Sequence, residues 1–168
     1  MERRQLAKTG MLRSAHMLGN EEEIIFAATD LLADTKLAPE LSNEAHYYRA
    51  KAYLDAGKTD GAMEDLKVLA KDTRNVYGAE AKYKVAQIYF DGGQTDKAEQ
   101  EVLNYIEVST PHTYWLARSF VLLADVYMKL GRNLDAKQYL LSLKQNYQAD
   151  DDIAGMIESR LEKLKTEN

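Results

Sequence analysis

The chain has 168 residues, 45% of them apolar and 29% charged, with 22 basic against 27 acidic side chains and a net charge of −5. That is the balance of one folded soluble domain, and the negative sum argues against a nucleic-acid footprint. With no cysteine, disulfides, thiolate metal sites and cysteine nucleophiles are excluded, and two prolines and nine glycines leave little material for a turn-rich β fold.

At the N-terminus, Met1-Glu2-Arg3-Arg4-Gln5-Leu6 has a basic pair but no apolar run of signal-peptide length behind it. A helical pattern starts at once. The chain therefore reads either as a complete cytosolic protein or as a piece of a longer one whose export signal lies upstream, and the second is preferred. No stretch approaches the roughly 18–20 consecutive apolar residues that cross a bilayer, so no membrane insertion is expected.

Further along, one pattern returns four times. Its clearest copies are Ala50, Tyr53, Gly57, Ala62 and Leu66, then Ala86, Tyr89, Gly93, Ala98 and Val102, then Ala124, Tyr127, Gly131, Ala136 and Leu140. Anchored on Gly19, an earlier copy carries Leu12 for the small alanine, Ala15 for the tyrosine and Ile24 for the second alanine, an exchange that roughly conserves volume. Alanine and tyrosine three apart share a helix face, and a glycine four further on is where that helix ends. After it stand Thr59, Thr95 and Asn133, expected to cap the next helix, followed by Asp60, Asp96 and Asp135 in its first turn, where the helix dipole favours acids. Each copy is thus expected to be two antiparallel helices. Pro39 and Pro111 are expected at helix starts. Behind the last copy, Asp150-Asp151-Asp152 is expected to open an amphipathic helix that buries Ile153, Ile157, Leu161 and Leu164.

These residues resemble the signature of the tetratricopeptide repeat over roughly residues 5 to 148. The expected fold is all-α: an α-solenoid of about four hairpins (5–42, 43–78, 79–116 and 117–149) with a capping helix at 150–166, in one domain spanning 1–168. The tails of the third and fourth units, Val102 to Ile106 and Leu140 to Tyr147, are similar to those of envelope-associated bacterial members of the family, which makes an assembly factor an alternative reading and a periplasmic address the rival of a cytoplasmic one.

Motifs for chemistry are scarce. His16, His46 and His112 show no metal-ligand spacing; His16 stands near a helix end, the other two near helix starts, and each reads as a surface or packing residue. The acidic runs Glu21–Glu23 and Asp150–Asp152 lack the spacing and glycine of calcium loops. No serine sits in a nucleophile elbow and no glycine pair cradles a phosphate. No enzyme, no cofactor and no metal is expected. Tyr53, Tyr89 and Tyr127 are expected in the repeat core, and Trp115 and Tyr114 are expected to precede a first helix.

The resemblance implies a concave groove lined by first-helix side chains. The residues it places there are Tyr47, Lys51, Leu54, Tyr83, Lys84, Gln87, Phe90, Arg118, Val121 and Asp125, with aromatic and arginine side chains as the favoured anchors. Tyr47 and Tyr83 could equally wedge adjacent hairpins. Asparagines of the family's carboxylate-clamping members have no counterpart at these positions, which argues against chaperone-tail binding. The implied function is a non-enzymatic scaffold for a protein or peptide segment, with no nucleic-acid partner. Self-association is the rival reading, since an uncapped first unit would expose Met11 and Leu18.

Overall fold

A computed structural model describes residues 3–166. Among the described residues the chain forms helices and no strand, and it divides by contacts into two compact units, Met1–Asp72 and Thr73–Asn168.

In the first unit, α1 (Arg3–Leu18) and α2 (Glu21–Leu32) make one hairpin, and α3 (Pro39–Asp55) and α4 (Thr59–Leu69) make the next. Helix α2 also packs on α3. The first hairpin is built as the volume exchange requires, for Leu12, Ala15 and Ile24 are all buried in one cluster with Ala27, Ala28, Leu31, Ala45 and Ala52. Pro39 opens α3, where its missing N–H costs nothing.

In the second unit, α5 (Val76–Asp91) pairs with α6 (Thr95–Val108), and α7 (Thr113–Lys129) with α8 (Asn133–Asn146). Helix α9 (Ile153–Thr166) then lies against both α7 and α8. Its Ile153, Ile157 and Leu164 are buried in the unit's core, and Leu161 packs half-buried at the edge. The aspartate run precedes α9 instead of belonging to it: Asp151 Oδ1 accepts from the Ile153 N–H at 2.9 Å. Pro111 likewise stands before the helix it introduces, since the N-cap of α7 is His112.

All four hairpin turns share one construction. Gly57 takes φ +75°, and its N–H donates to Leu54 O while the N–H of Lys58 donates to Tyr53 O at 2.7 Å. This pair of bonds closes a helix through a left-handed residue, which a side chain would strain. The same two bonds recur around Gly19, Gly93 and Gly131, all with positive φ. The residue after the glycine has a second task, because its carbonyl accepts the first bond of the following helix: Ala62 N–H to Lys58 O, Ala98 N–H to Gln94 O, Ala136 N–H to Arg132 O. One residue serves as both end and beginning.

That economy corrects the expected caps. Thr59, Thr95 and Asn133 are the first helical residues, one place too late, and the N-cap positions fall on Lys58, Gln94 and Arg132, none of which caps through its side chain. The acids expected in the first turn, Asp60, Asp96 and Asp135, are there. In the first hairpin the shared residue is Asn20, and its Oδ1 does accept from the Glu23 N–H at 3.2 Å.

The repeat alanines are fully buried, as are Leu66, Val102 and Leu140. The tyrosines divide: Tyr127 is buried, but Tyr53 and Tyr89 are only half-covered, so they pack the flank of their hairpins instead of the middle. A Cβ on Gly61 would lie 3.1 Å from the Tyr53 ring, which accounts for a glycine inside α4.

Candidate functional site

Within the first unit, Tyr47, Lys51 and Leu54 follow one another along one side of α3, spaced by four and three residues. The Lys51 ammonium lies 5.4 Å from the Tyr47 ring centroid, and Tyr47 stands against Tyr48 at 5.9 Å. His16 stacks on Tyr48 at 4.1 Å, a packing role at the end of α1.

His46 lies in the middle of α3, not near its start, and its Nδ1 is 2.7 Å from Asp65 Oδ1. Asp65 is 1% exposed. Arg49 grips the same carboxylate through Nε at 2.9 Å and Nη2 at 2.7 Å, and its Nη1 reaches Thr29. Burial by itself would raise the Asp65 pKa; the bonds from His46 and Arg49 outweigh it and hold the carboxyl below its ordinary value. This cluster ties α2, α3 and α4 together inside the first unit. Sequence reading passed over it, although an acid between Ala62, Leu66 and Leu69 on the apolar face of α4 was a visible signal.

Within the second unit, α5 and α7 bring most of the remaining residues together. Tyr83 is buried beneath Arg118, whose guanidinium lies 4.7 Å from its ring centroid and 5.8 Å from that of Trp115. Burial raises the Tyr83 phenol pKa, with Arg118 working against it. The Tyr83 hydroxyl donates to Gln87 Oε1, and Gln87 Nε2 donates to Asp91, both at 2.8 Å. Lys84 is tied to Glu80 at 2.6 Å. Val121 is a core side chain and offers no surface. Tyr114 and Trp115 are inside the first turn of α7, edge to face at 5.0 Å, both half-buried.

Two of the expected residues reach an open cleft. Phe90 and Asp125 line a space of about 580 Å³ together with Met128, Lys129, Ser159, Arg160 and Lys163. Asp125 is not an unengaged acid there: Arg160 of α9 holds it in a two-pronged ion pair at 2.8 and 3.0 Å. With that acid matched, Lys129 and Lys163 remain as exposed cations on the rim, and Phe90 and Met128 supply apolar surface. The residues from α9 escaped sequence reading because that helix was taken only as a cap. Among the described residues there is no cluster of three or more side chains able to hold a metal, and no helix long and apolar enough to cross a membrane.

Comparison with known proteins fits this geometry. Family models described as tetratricopeptide repeat match residues 44–72 in the first unit and 117–145 in the second. Each unit thus carries a segment that matches the tetratricopeptide repeat. Both matched segments are hairpins with their glycine turns, α3–α4 and α7–α8.

Among solved structures, the chain is similar to MamA at 20% identity, with a TM-score of 0.61 over 94% of this chain and 96% of the other. It is also similar to the Q17M form of a Podosopora anserina kinesin-light-chain-like protein with nearly identical repeats, at 17% identity and a TM-score of 0.62, covering 99% and 96%. At such identities the likeness concerns the fold. No curated protein sequence matches at a significant level.

Proposed function

We propose that the chain is a non-enzymatic interaction scaffold, and that the cleft among α5, α7 and α9 takes a protein segment carrying acidic residues beside an apolar anchor. The observation that carries this reading is the charge of the cleft. In a chain of net charge −5, its one acid is neutralised by Arg160 while Lys129 and Lys163 border an apolar surface of Phe90 and Met128. Complementary charge selects and steers a partner, and a desolvated aromatic contact supplies the anchor. Lys84, Gln87 and Arg118 are already bonded within the unit, so they hold the platform in place. Tyr47, Lys51 and Leu54 form a separate surface on α3.

The test is a display selection of random peptides on the intact chain. Enrichment of acidic residues flanking an aromatic or aliphatic one is expected, with affinity falling as salt rises. Phe90→Ala combined with Lys129→Glu and Lys163→Glu should weaken the selected peptides by about tenfold or more. Peptides without acidic bias, or peptides that bind the triple variant equally well, would refute the assignment.

A further inference from the structure

The outer face of α1 has no function so far. Leu6, Met11, Met17 and Leu18 are 61%, 59%, 85% and 79% exposed. On a helix of 3.6 residues per turn they fall on the arc opposite the buried Gln5, Thr9, Leu12 and Ala15, and the middle of that arc, between Arg3 near one end and Met17 near the other, holds the small residues Ala7, Gly10 and Ser14. Gly10 is the informative one. Glycine weakens a helix interior relative to alanine, yet a Cβ here would meet nothing within 4 Å. Among the described residues no neighbour accounts for its lack of a side chain. A shallow saddle of small residues between large apolar ones is shaped for a second helix to cross closely.

Charge decides which helix. Helix α1 contains no acidic residue; Arg3 and Arg4 stand at its start, while the chain just past its end is Glu21-Glu22-Glu23, opening α2. A parallel copy would set like charges level with each other. An antiparallel copy centred on Gly10 sets Arg3 and Arg4 of each chain level with the acidic run of the other, twice, about a two-fold axis. From this juxtaposition we infer that the exposed face of α1 is a self-association surface, an antiparallel α1–α1 contact between two copies of the chain. Such a contact is closed, because each copy offers the same patch.

Sedimentation of the full chain over a range of concentrations tests it. A monomer–dimer equilibrium is expected. Gly10→Leu should weaken the dimer at least about tenfold, since added bulk at a close crossing overpacks it, while the open side leaves the hairpin folded by circular dichroism. Arg3→Glu with Arg4→Glu should weaken it as well, as should Glu22→Lys with Glu23→Lys, and combining the two reversals should restore it. A strict monomer at every concentration overturns the inference, as does a dimer indifferent to Gly10→Leu, or reversals that fail to compensate. A monomer that floats with anionic phospholipid vesicles through the same arginines and leucines would overturn it in favour of a membrane surface.

Discussion

The two units solve the same packing problem with different materials. The first has two hairpins, and its interior holds a buried carboxylate fixed by an arginine and a histidine. The second has two hairpins and a closing helix, and its largest fully buried side chains are Tyr105, Leu123, Leu140, Ile153, Ile157, Val85, Val102 and Val126. Those of the first are fewer, Leu12, Leu31, Leu69 and Thr9. A small apolar core leaves less to hold the helices, and an ion cluster adds orientation at the cost of desolvating charge. The lesson is that a repeat with one backbone plan can rest on electrostatics in one place and on hydrophobic burial in another.

Removing Asp65 is the largest way to break this contrast. Asp65→Ala leaves Arg49 and His46 half-buried without their carboxylate and should cost the first unit about 3 kcal/mol. The sole tryptophan, Trp115, lies in the second unit and reports on it alone, whereas far-ultraviolet circular dichroism reports helix in both. In urea, the variant should lose part of its helix before the tryptophan signal moves. Coincident transitions would mean that the cluster supports both units equally and that the contrast is false.

The next effect is a pair of pH edges, one for each unit. Asp65 has its pKa lowered on folding, so its contribution is present above the ordinary value of 3.8 and drains away as pH falls below it. The sign reverses for Tyr105, whose phenol is buried, donates to Ala79 O at 2.9 Å and is pushed up to about 12 by burial. The unfolded chain ionises this phenol near pH 10 while the folded chain does not, so stability falls from there upward, by about 2–3 kcal/mol once pH 12 is reached. Helix of the first unit should therefore melt first in acid, and the tryptophan signal should lead in alkali. Tyr105→Phe should cost about 1 kcal/mol at neutral pH through the lost hydrogen bond and flatten the alkaline limb. An unchanged alkaline limb would remove Tyr105 from that role.

How far the sequence disclosed this follows from the reach of each interaction. Ala50, Tyr53 and Gly57 sit within one hairpin, so helix pairing and turn positions were legible from spacing alone. The capping residues were not, because whether Lys58 or Thr59 begins α4 depends on backbone bonds that let one residue end α3 and start α4. The cleft was half legible: Phe90 and Asp125 follow from position within a repeat, but Arg160 and Lys163 come from α9, whose packing against α7 no repeat pattern specifies. Val121 was placed on the groove by register, yet its neighbours bury it. Asp65 is the reverse case, an acid standing openly in an apolar series whose partners, His46 and Arg49, lie on another helix.

The finest test asks whether the contrast belongs to the cores alone. Gly57 in the first unit and Gly131 in the second both have φ +75°, make the same pair of closing bonds, and have nothing within 4 Å of where a Cβ would stand. Sterics with neighbours therefore drop out, and what remains is the local strain of a left-handed backbone, about 1–2 kcal/mol for alanine. Gly57→Ala and Gly131→Ala should cost the same amount within a few tenths of a kcal/mol, each read in the transition of its own unit. Asparagine at either position should recover part of the loss, because it tolerates this conformation better than alanine. Equal costs would confine the difference between the units to what fills them. A gap above about 1 kcal/mol would mean that the turns differ too, and that the shared hydrogen bonds do not set the strength of the hairpin.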